Sequence, residues 1–422
     1  MPQPVIVGGN RIPFARSDTA YAEASNQDML TAAVDGLVAR HGLQGEALGE
    51  VVAGAVLKHA RDFNLTREVV MGSALSSTTP AFDIQMACDT GIQAALLVAN
   101  RISLGQIDAG IAGGSDTTSD APLGVNDELR RTLLEARRAK SLPDRLKLLG
   151  HLRPGQIVPD MPRNAEPRTG LSMGEHQAQT TEQWGISRED QDELAATSHQ
   201  RAAAAWEEGF NDDLVTPFAG LARDNHLRPD SSVEKLAKLR PVFGDPETGT
   251  MTAGNSTPLT DGASAVLIAS EEWAAERKLP QLARITHAET AAVDYIHGDD
   301  GLLMAPAYAV PRMLQKAGLS LQDFDVVEIH EAFASQVLST LKAWEDAEWC
   351  REHLGLDDAL GAIDRAKLNP KGSSLAAGHP FAATGGRILV TAAKQLAQRG
   401  GGKALISVCA AGGQGVVAIL EA

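Results

Sequence analysis

Apolar and polar positions along this chain alternate between two periods. Val5-Ile6-Val7-Gly8-Gly9 is a short apolar run stopped by glycine, and it predicts a strand. From Asp28 to His41, the residues Leu30, Ala33, Val34, Leu37 and Val38 share one helical face, and Gly42 follows as a stop. Val51–Val56 predicts a buried strand, Gly91–Ile102 an apolar helix closed by Gly105, and Ala109–Gly114 the next strand and its turn. Strands alternating with helices predict an α/β layered sheet.

The character changes between Asn126 and about Val242. Leu129 to Arg153 is basic, with Arg130, Arg131, Arg137, Arg138, Lys140, Arg145, Lys147 and Arg153. Ser187–Gly209 predicts a polar helix opened by Ser187 with Asp190 three residues on, a variant of the capping box. This region is expected to lie over the sheet as an insertion. Its basic stretch is either a solvated helix face or a docking surface for phosphates or a partner.

The C-terminal part repeats the first. Asp325–Ile329 predicts a strand leading to His330, Phe381–Leu396 an apolar helix, and Ala404–Val408 a strand before Cys409. The order Cys88, helix, strand, Gly113-Gly114 matches the order His379, helix, strand, Gly412-Gly413. That is the signature of a duplicated half-domain rather than a short-period solenoid.

At 422 residues the chain has room for two or three domains, and 43% hydrophobic residues suffice for a large core. Gly is abundant at 40 residues against 4% aromatics, which suits tight small-residue packing. A net charge of −16 argues against a general nucleic-acid or membrane-surface binder. Three cysteines do not make a disulfide scaffold and fit a reducing compartment. With no signal pattern near the start and no apolar run of membrane-spanning length, the expectation is a cytoplasmic protein without a transmembrane segment.

Four residues near the ends of apolar segments can carry chemistry: Cys88, His330, His379 and Cys409. Cys88 precedes a helix, whose N-terminus favours thiolate, although a free cysteine also packs as an inert small hydrophobe. His379, held between Gly378 and Pro380, is positioned to take a proton from a thiol or to serve only the turn. Cys409 ends a strand before Ala410-Ala411-Gly412-Gly413, a loop able to aim backbone N–H groups at an oxyanion. A second thiol there can exchange a proton with carbon; the competing disulfide with Cys88 fits the reducing compartment poorly. His330 either donates to a thioester carbonyl or simply packs, and Glu331 beside it orients neighbours or favours a helix start. Cys350 lacks such a loop and is expected to be incidental.

Together these motifs resemble the thiolase family over nearly the whole chain. The match includes Arg11-Ile12-Pro13-Phe14, Gly113-Gly114-Ser115-Asp116, Lys238–Phe243, Thr252–Ala263 and Lys316-Ala317-Gly318-Leu319. The resemblance implies a thiolase fold of duplicated αβαβα layers: an N-terminal domain over 1–125 completed by 245–275, a loop domain over 126–244, and a C-terminal domain over 276–422. It implies thiolytic cleavage of 3-ketoacyl-CoA, reversible as a Claisen condensation, with Cys88 as acylated nucleophile, His379 as its base and Cys409 as acid and base at the α-carbon. The backbone N–H groups of Cys88 and Ala411 match one oxyanion hole, and His330 with His379 the other. Met173, Arg228, Phe243, Ala253, Thr257 and Phe333 match the coenzyme A pocket. His330-Glu331-Ala332-Phe333 resembles the branch that includes the β-subunit of the fatty-acid-oxidation trifunctional enzyme.

The resemblance further implies coenzyme A as substrate, no metal and no permanently bound cofactor. It implies a homodimer or homotetramer, with a hydratase–dehydrogenase as a possible partner. Three positions depart from the family pattern: Asp89 beside the nucleophile, expected to point away; Ser172 where relatives carry His; and Gly372-Ser373 where Gly-Gly is usual. A ketosynthase-like condensing enzyme, which would use a second His in place of Cys409, and a non-catalytic acyl-CoA-binding subunit are the alternatives. A cysteine protease would leave the second thiol without a role.

Overall fold

The computed structural model describes residues 2–422. Its frame is a mixed sheet whose strands, in chain order, are β1 (Pro4–Arg11), β2 (Glu50–Ala53), β3 (Ala81–Asp83), β4 (Ala109–Asp116), β5 (Thr260–Ser270), β6 (Ala283–Ala292), β7 (Val326–Ile329), β8 (Lys403–Ala410) and β9 (Gln414–Glu421). In space they run β7-β8-β9-β6-β1-β5-β4-β2-β3, with Ala15–Arg16 paired to the start of β5. The helices layered with them are α1 (Asn26–His41), α2 (Thr90–Ser103), α3 (Ala305–Ala317) and α4 (Thr384–Arg399).

The pairing pattern occurs twice. β1 with β5 is antiparallel, as is β6 with β9; β4 with β5 is antiparallel, as is β8 with β9; β2 with β4 is parallel, as is β7 with β8. The two halves join edge to edge through β1 and β6, where Val5 faces Arg284 and Ile6 faces Ala283.

Side-chain alternation builds the layers. Val5 and Val7 pack with Leu30, Val34 and Leu37 of α1 in one outer core, while Ile6 between them faces a central core. Leu267 and Val266 divide in the same way. In the second half Val417 and Ile419 face an outer core with Val310 and Met313 of α3, and Val416 and Ala418 face the centre. Strands buried on both faces read as continuous apolar runs, which is how they appear in the sequence. The central core holds α2 and α4 side by side, with Ile92, Ala95 and Val98 against Ile388, Leu389 and Ala392. The order of layers is therefore helix, sheet, helix pair, sheet, helix.

Glycine sets how close the central helices lie. A Cβ on Gly385 would sit 2.3 Å from the backbone N of Ile92, and one on Gly91 would sit 2.6 Å from the carbonyl of Ala382. Both obstacles are backbone, which has nowhere to move.

Between β4 and β5 the chain adds no strand to this sheet among the described residues. It forms the helices Asp127–Arg138, Leu142–Leu149, Met173–Gln183 and Arg188–Glu207, and a separate two-stranded ladder of Pro241–Phe243 with Met251–Thr252. Ser187 Oγ accepts from the Asp190 N–H, as the capping pattern predicts. No helix among the described residues is long and apolar enough to cross a membrane.

Two boundaries differ from the sequence reading, and one residue explains both. β2 stops at Ala53 rather than Val56, and the helix expected from Phe381 starts as a 3-10 turn over Phe381–Ala383. The buried Asp116 carboxylate accepts from the N–H groups of Val56, Leu57 and Ala382 at 2.8–3.1 Å. Those backbone groups turn toward Asp116 rather than continuing a ladder or a helix.

Gly385→Ala is expected to destabilise the fold by about 1–3 kcal/mol, as overpacking against fixed backbone does. Gly72→Ala, in an exposed helical position with nothing within 4 Å of the new methyl, is expected to be neutral or slightly stabilising. Urea midpoints of the two variants check this; equal midpoints would refute the close-approach argument.

Candidate active site

Cys88 is presented by a sharp turn. Ala87 has φ 45, in the left-handed region, and Thr90 clamps the turn by accepting from the Met86 N–H at 2.9 Å and donating to the Ala87 carbonyl at 2.7 Å. The turn ends at the start of α2. His379 lies at the matching place before α4, its N–H donating to Thr260 Oγ1 at 2.7 Å. Because glycine lets α2 and α4 touch near these ends, His379 Nε2 comes to 3.0 Å from Cys88 Sγ. His330, one residue past β7, places its ring centroid 4.2 Å from that of His379, the planes tilted by 46°.

A hydroxyl group holds one nitrogen of each imidazole. Arg387, which can only donate, gives a hydrogen bond to Ser374 Oγ at 2.8 Å, and the same oxygen lies 2.7 Å from His330 Nδ1, where it can donate or accept. His330 Nε2 is fully buried and has no protein partner. His379 Nδ1 lies 2.6 Å from Thr384 Oγ1, and a proton on Nδ1 leaves Nε2 free to accept from the Cys88 thiol.

Burial keeps every member of the site neutral at rest. It pushes the Cys88 thiol up to about 12, with repulsion from Asp89 adding to the rise, while the N–H groups of Ala411 and of Cys88 itself pull back. The sequence argument from the helix N-terminus expected thiolate; desolvation outweighs it. Burial drives His379 down to about 3, with the Arg387 charge acting in the same sense. Burial, then His379 and Arg387, holds His330 well below the usual imidazole range. Burial raises Cys409 well above an ordinary thiol, helped by Cys88 and Asp89.

Asp89 corrects an expectation. It does not turn out toward solvent: it is completely buried, neither carboxyl oxygen has a hydrogen bond of normal geometry, and its ionised form would raise both thiols. Burial holds its carboxyl well above the ordinary range, which disfavours a negative charge beside Cys88.

The remaining residues fall into groups. Cys409 shares an apolar cluster with Met251, Leu303 and Phe333, against which Met173 and Phe243 pack. Phe243 and Phe333 meet edge to face at 5.9 Å. Thr257 fixes the Phe333 segment by donating from both N–H and Oγ1 to the Ala332 carbonyl, each at 3.1 Å. Ala253 and Arg228 are exposed and outside this cluster; the Arg228 N–H rests on His199 Nδ1 at 3.2 Å. Ser172 caps the Met173–Gln183 helix through a capping box with Glu175. Ser373, a departure from the family pattern, accepts from Arg387 at 3.3 Å. Cys350 sits elsewhere, its thiol on the Ala343 and Trp344 carbonyls, and the three cysteines are free.

Several residues position the site, and of these the sequence reading singled out only Glu331. Glu331 is buried and accepts from Ser198 Oγ at 2.7 Å, Asn369 Nδ2 at 2.7 Å and the Leu375 N–H at 3.1 Å, tying the insertion to the segment before His379. Glu166 accepts from the Gly412 N–H at 2.7 Å and from Tyr295 at 2.9 Å, so the insertion also braces the loop that holds Ala411. Ser374, Thr384 and Arg387 orient the imidazoles. Their only sequence signal is polar residues inside otherwise apolar, glycine-rich segments.

Comparison with known proteins gives the family. Residues 4–272 match the family "Thiolase, N-terminal domain" and residues 279–422 match "Thiolase, C-terminal domain". The chain is 43% identical over 423 residues to a 3-ketoacyl-CoA thiolase of Yersinia pestis (strain Pestoides F), covering 99% of this chain and 96% of that protein. It superposes on the acetyl-CoA acetyltransferase of Bacillus anthracis with a TM-score of 0.82 at 30% identity, covering 100% of this chain and 99% of that one. It also superposes on human mitochondrial 3-ketoacyl-CoA thiolase in complex with CoA at 0.81 and 28% identity, covering 100% of this chain and 98% of that one. With the two family matches spanning nearly its whole length, this chain belongs to the thiolase family.

Proposed function

We propose that this protein cleaves 3-ketoacyl-CoA with coenzyme A, giving acetyl-CoA and a shortened acyl-CoA by a reversible ping-pong acyl transfer. The observation that carries this reading is the 3.0 Å contact of Cys88 Sγ with His379 Nε2, in a site that holds a second buried thiol.

His379 Nε2 takes the Cys88 proton as the sulfur attacks the 3-keto carbonyl. The oxyanion is held by the N–H groups of Cys88 and Ala411. Collapse breaks the Cα–Cβ bond and leaves the acyl group on Cys88 and the electron pair on the acetyl-CoA enolate. His330 Nε2–H donates to the enolate oxygen, and Cys409 gives its proton to the carbon. A thiol well above the ordinary range is a matched acid for a carbanion of this kind. Cys409 then takes the proton of incoming coenzyme A, whose sulfur attacks the acyl group, and His379 returns the first proton to Cys88. Met173, Phe243 and Phe333 line the acyl and pantetheine path, with Arg228, Ala253 and Thr257 toward the coenzyme A end. A thiol at Cys409 rather than a second imidazole opposes the ketosynthase reading.

We further place the protein in the cytoplasm, where its free thiols stay reduced, and as a two-fold homo-oligomer. The hairpin of Asp127–Arg138 and Leu142–Leu149 is the surface for a hydratase–dehydrogenase partner: it exposes Leu142 at 67% and Leu146 at 60% beside its arginines.

Cys88→Ala is expected to abolish thiolysis, followed by loss of the 3-ketoacyl-CoA enolate absorbance, and to abolish the acyl mass adduct; retained turnover would end the assignment. Because the Cys88 thiol is raised and His379 lowered, alkylation of the resting enzyme by iodoacetamide should be slow at neutral pH. Its rate should climb about tenfold per unit above about pH 8. A fast plateau at acid to neutral pH would mean a resting thiolate–imidazolium pair instead. The double variant Leu142→Asp, Leu146→Asp should lose co-elution with a hydratase–dehydrogenase while keeping thiolysis; unchanged co-elution removes the hairpin from the interface.

A further inference from the structure

We propose that the resting active site is also a binding site for Zn²⁺ and other thiophilic divalent cations, with Cys88 Sγ, His330 Nε2 and His379 Nε2 as ligands. Each of the three side chains offers one donor atom, and these atoms lie within 4.8 Å of one another. A tetrahedral Zn²⁺ with nitrogen and sulfur ligands holds its donors about 3.3–3.6 Å apart. The 3.0 Å sulfur–nitrogen contact opens slightly and the longer separations close by about 1 Å to reach that geometry.

Three further observations favour a cation. The His330 Nε2 atom is fully buried, faces this triangle and has no protein partner. Both imidazoles are already oriented through their other nitrogen, His330 by Ser374 Oγ and His379 by Thr384 Oγ1, the outer contacts that fix ligating histidines in metal sites. The donor set of one thiolate and two imidazoles is the borderline-soft chemistry that Zn²⁺ selects over Mg²⁺ or Ca²⁺.

The binding step balances simply. The Cys88 thiol releases its proton to solvent and becomes a thiolate ligand. The His330 proton moves from Nε2 to Nδ1, where Ser374 Oγ accepts it. No redox change occurs, and a water or an added thiol fills the fourth position. The ion occupies the nucleophile, its base and the enolate-holding imidazole at once, so the metal-bound and acylated states exclude each other. Free zinc would therefore act as a reversible brake on this enzyme and as a cover for its reactive sulfur.

The test uses the full-length reduced enzyme, stripped with chelator and titrated with ZnCl₂ by calorimetry and with CoCl₂ by absorbance. The expected result is one ion per chain, a thiolate-to-Co²⁺ charge-transfer band, and slower iodoacetamide alkylation that EDTA restores. Cys88→Ser and His330→Ala should each weaken binding about 100-fold, and so should prior acylation or alkylation of wild-type Cys88, which needs no variant to fold. His151→Ala, on an exposed residue, should change nothing. Zn²⁺ affinity unaltered by loss or alkylation of Cys88, a Co²⁺ complex without the thiolate band, or no binding at all would overturn the proposal. None of these outcomes touches the acyl-transfer reading, which is measured without metal.

Discussion

Two helices that meet with no side chain between them hold this active site together. Gly91 of α2 and Gly385 of α4 bring backbone against backbone in the middle layer of the fold. Each helix begins where one half of the duplicated structure delivers a reactive residue: Cys88 from the first half, His379 from the second. The 3.0 Å contact between thiol and imidazole is therefore set by the approach of two helices, in a core too dense to let them drift. Asp116 reinforces the junction, since one carboxylate from the first half binds Ala382, just before α4, and the N–H groups after β2.

The second feature is charge suppression. Burial favours the neutral form of Cys88, Cys409, His379, His330 and Asp89 alike. In the proposed reaction such a site would store its protons on its own side chains and pass them internally as substrate charge develops. It needs no standing thiolate, and it keeps its imidazoles as donors and acceptors rather than cations. The same neutrality and crowding give Cys88, His330 and His379 the look of an empty ligand set.

Much of this was legible in the sequence. Glycine stops, apolar runs and the repeated order of segments fixed α1, α2, β8 and the duplication, because these elements depend on local periodicity and on burial that a run of apolar residues reports directly. The reactive residues stood out because Cys and His beside Gly and Pro are uncommon at the ends of apolar strands and before apolar helices. The ends of β2 and the start of α4 were misread because Val56, Leu57 and Ala382 answer to Asp116, whose carboxylate is up to 266 residues away in the chain. Asp89 was misplaced for a similar reason: a carboxylate normally seeks water, and only the surrounding packing forbids it.

The sequence by itself determined the layered α/β architecture, the duplicated halves and which Cys and His residues are candidates for chemistry, since these follow from residue type and from the order of segments. Only the tertiary structure decided how those groups work. How each imidazole is held depends on Arg387, Ser374 and Thr384. The weakness of the resting thiol as an acid depends on how completely water is shut out. The bracing of the oxyanion loop depends on Glu166 reaching over from the insertion. Each of these comes from atoms distant along the chain, and distances of a few ångströms between such atoms exist only once the core has closed around them.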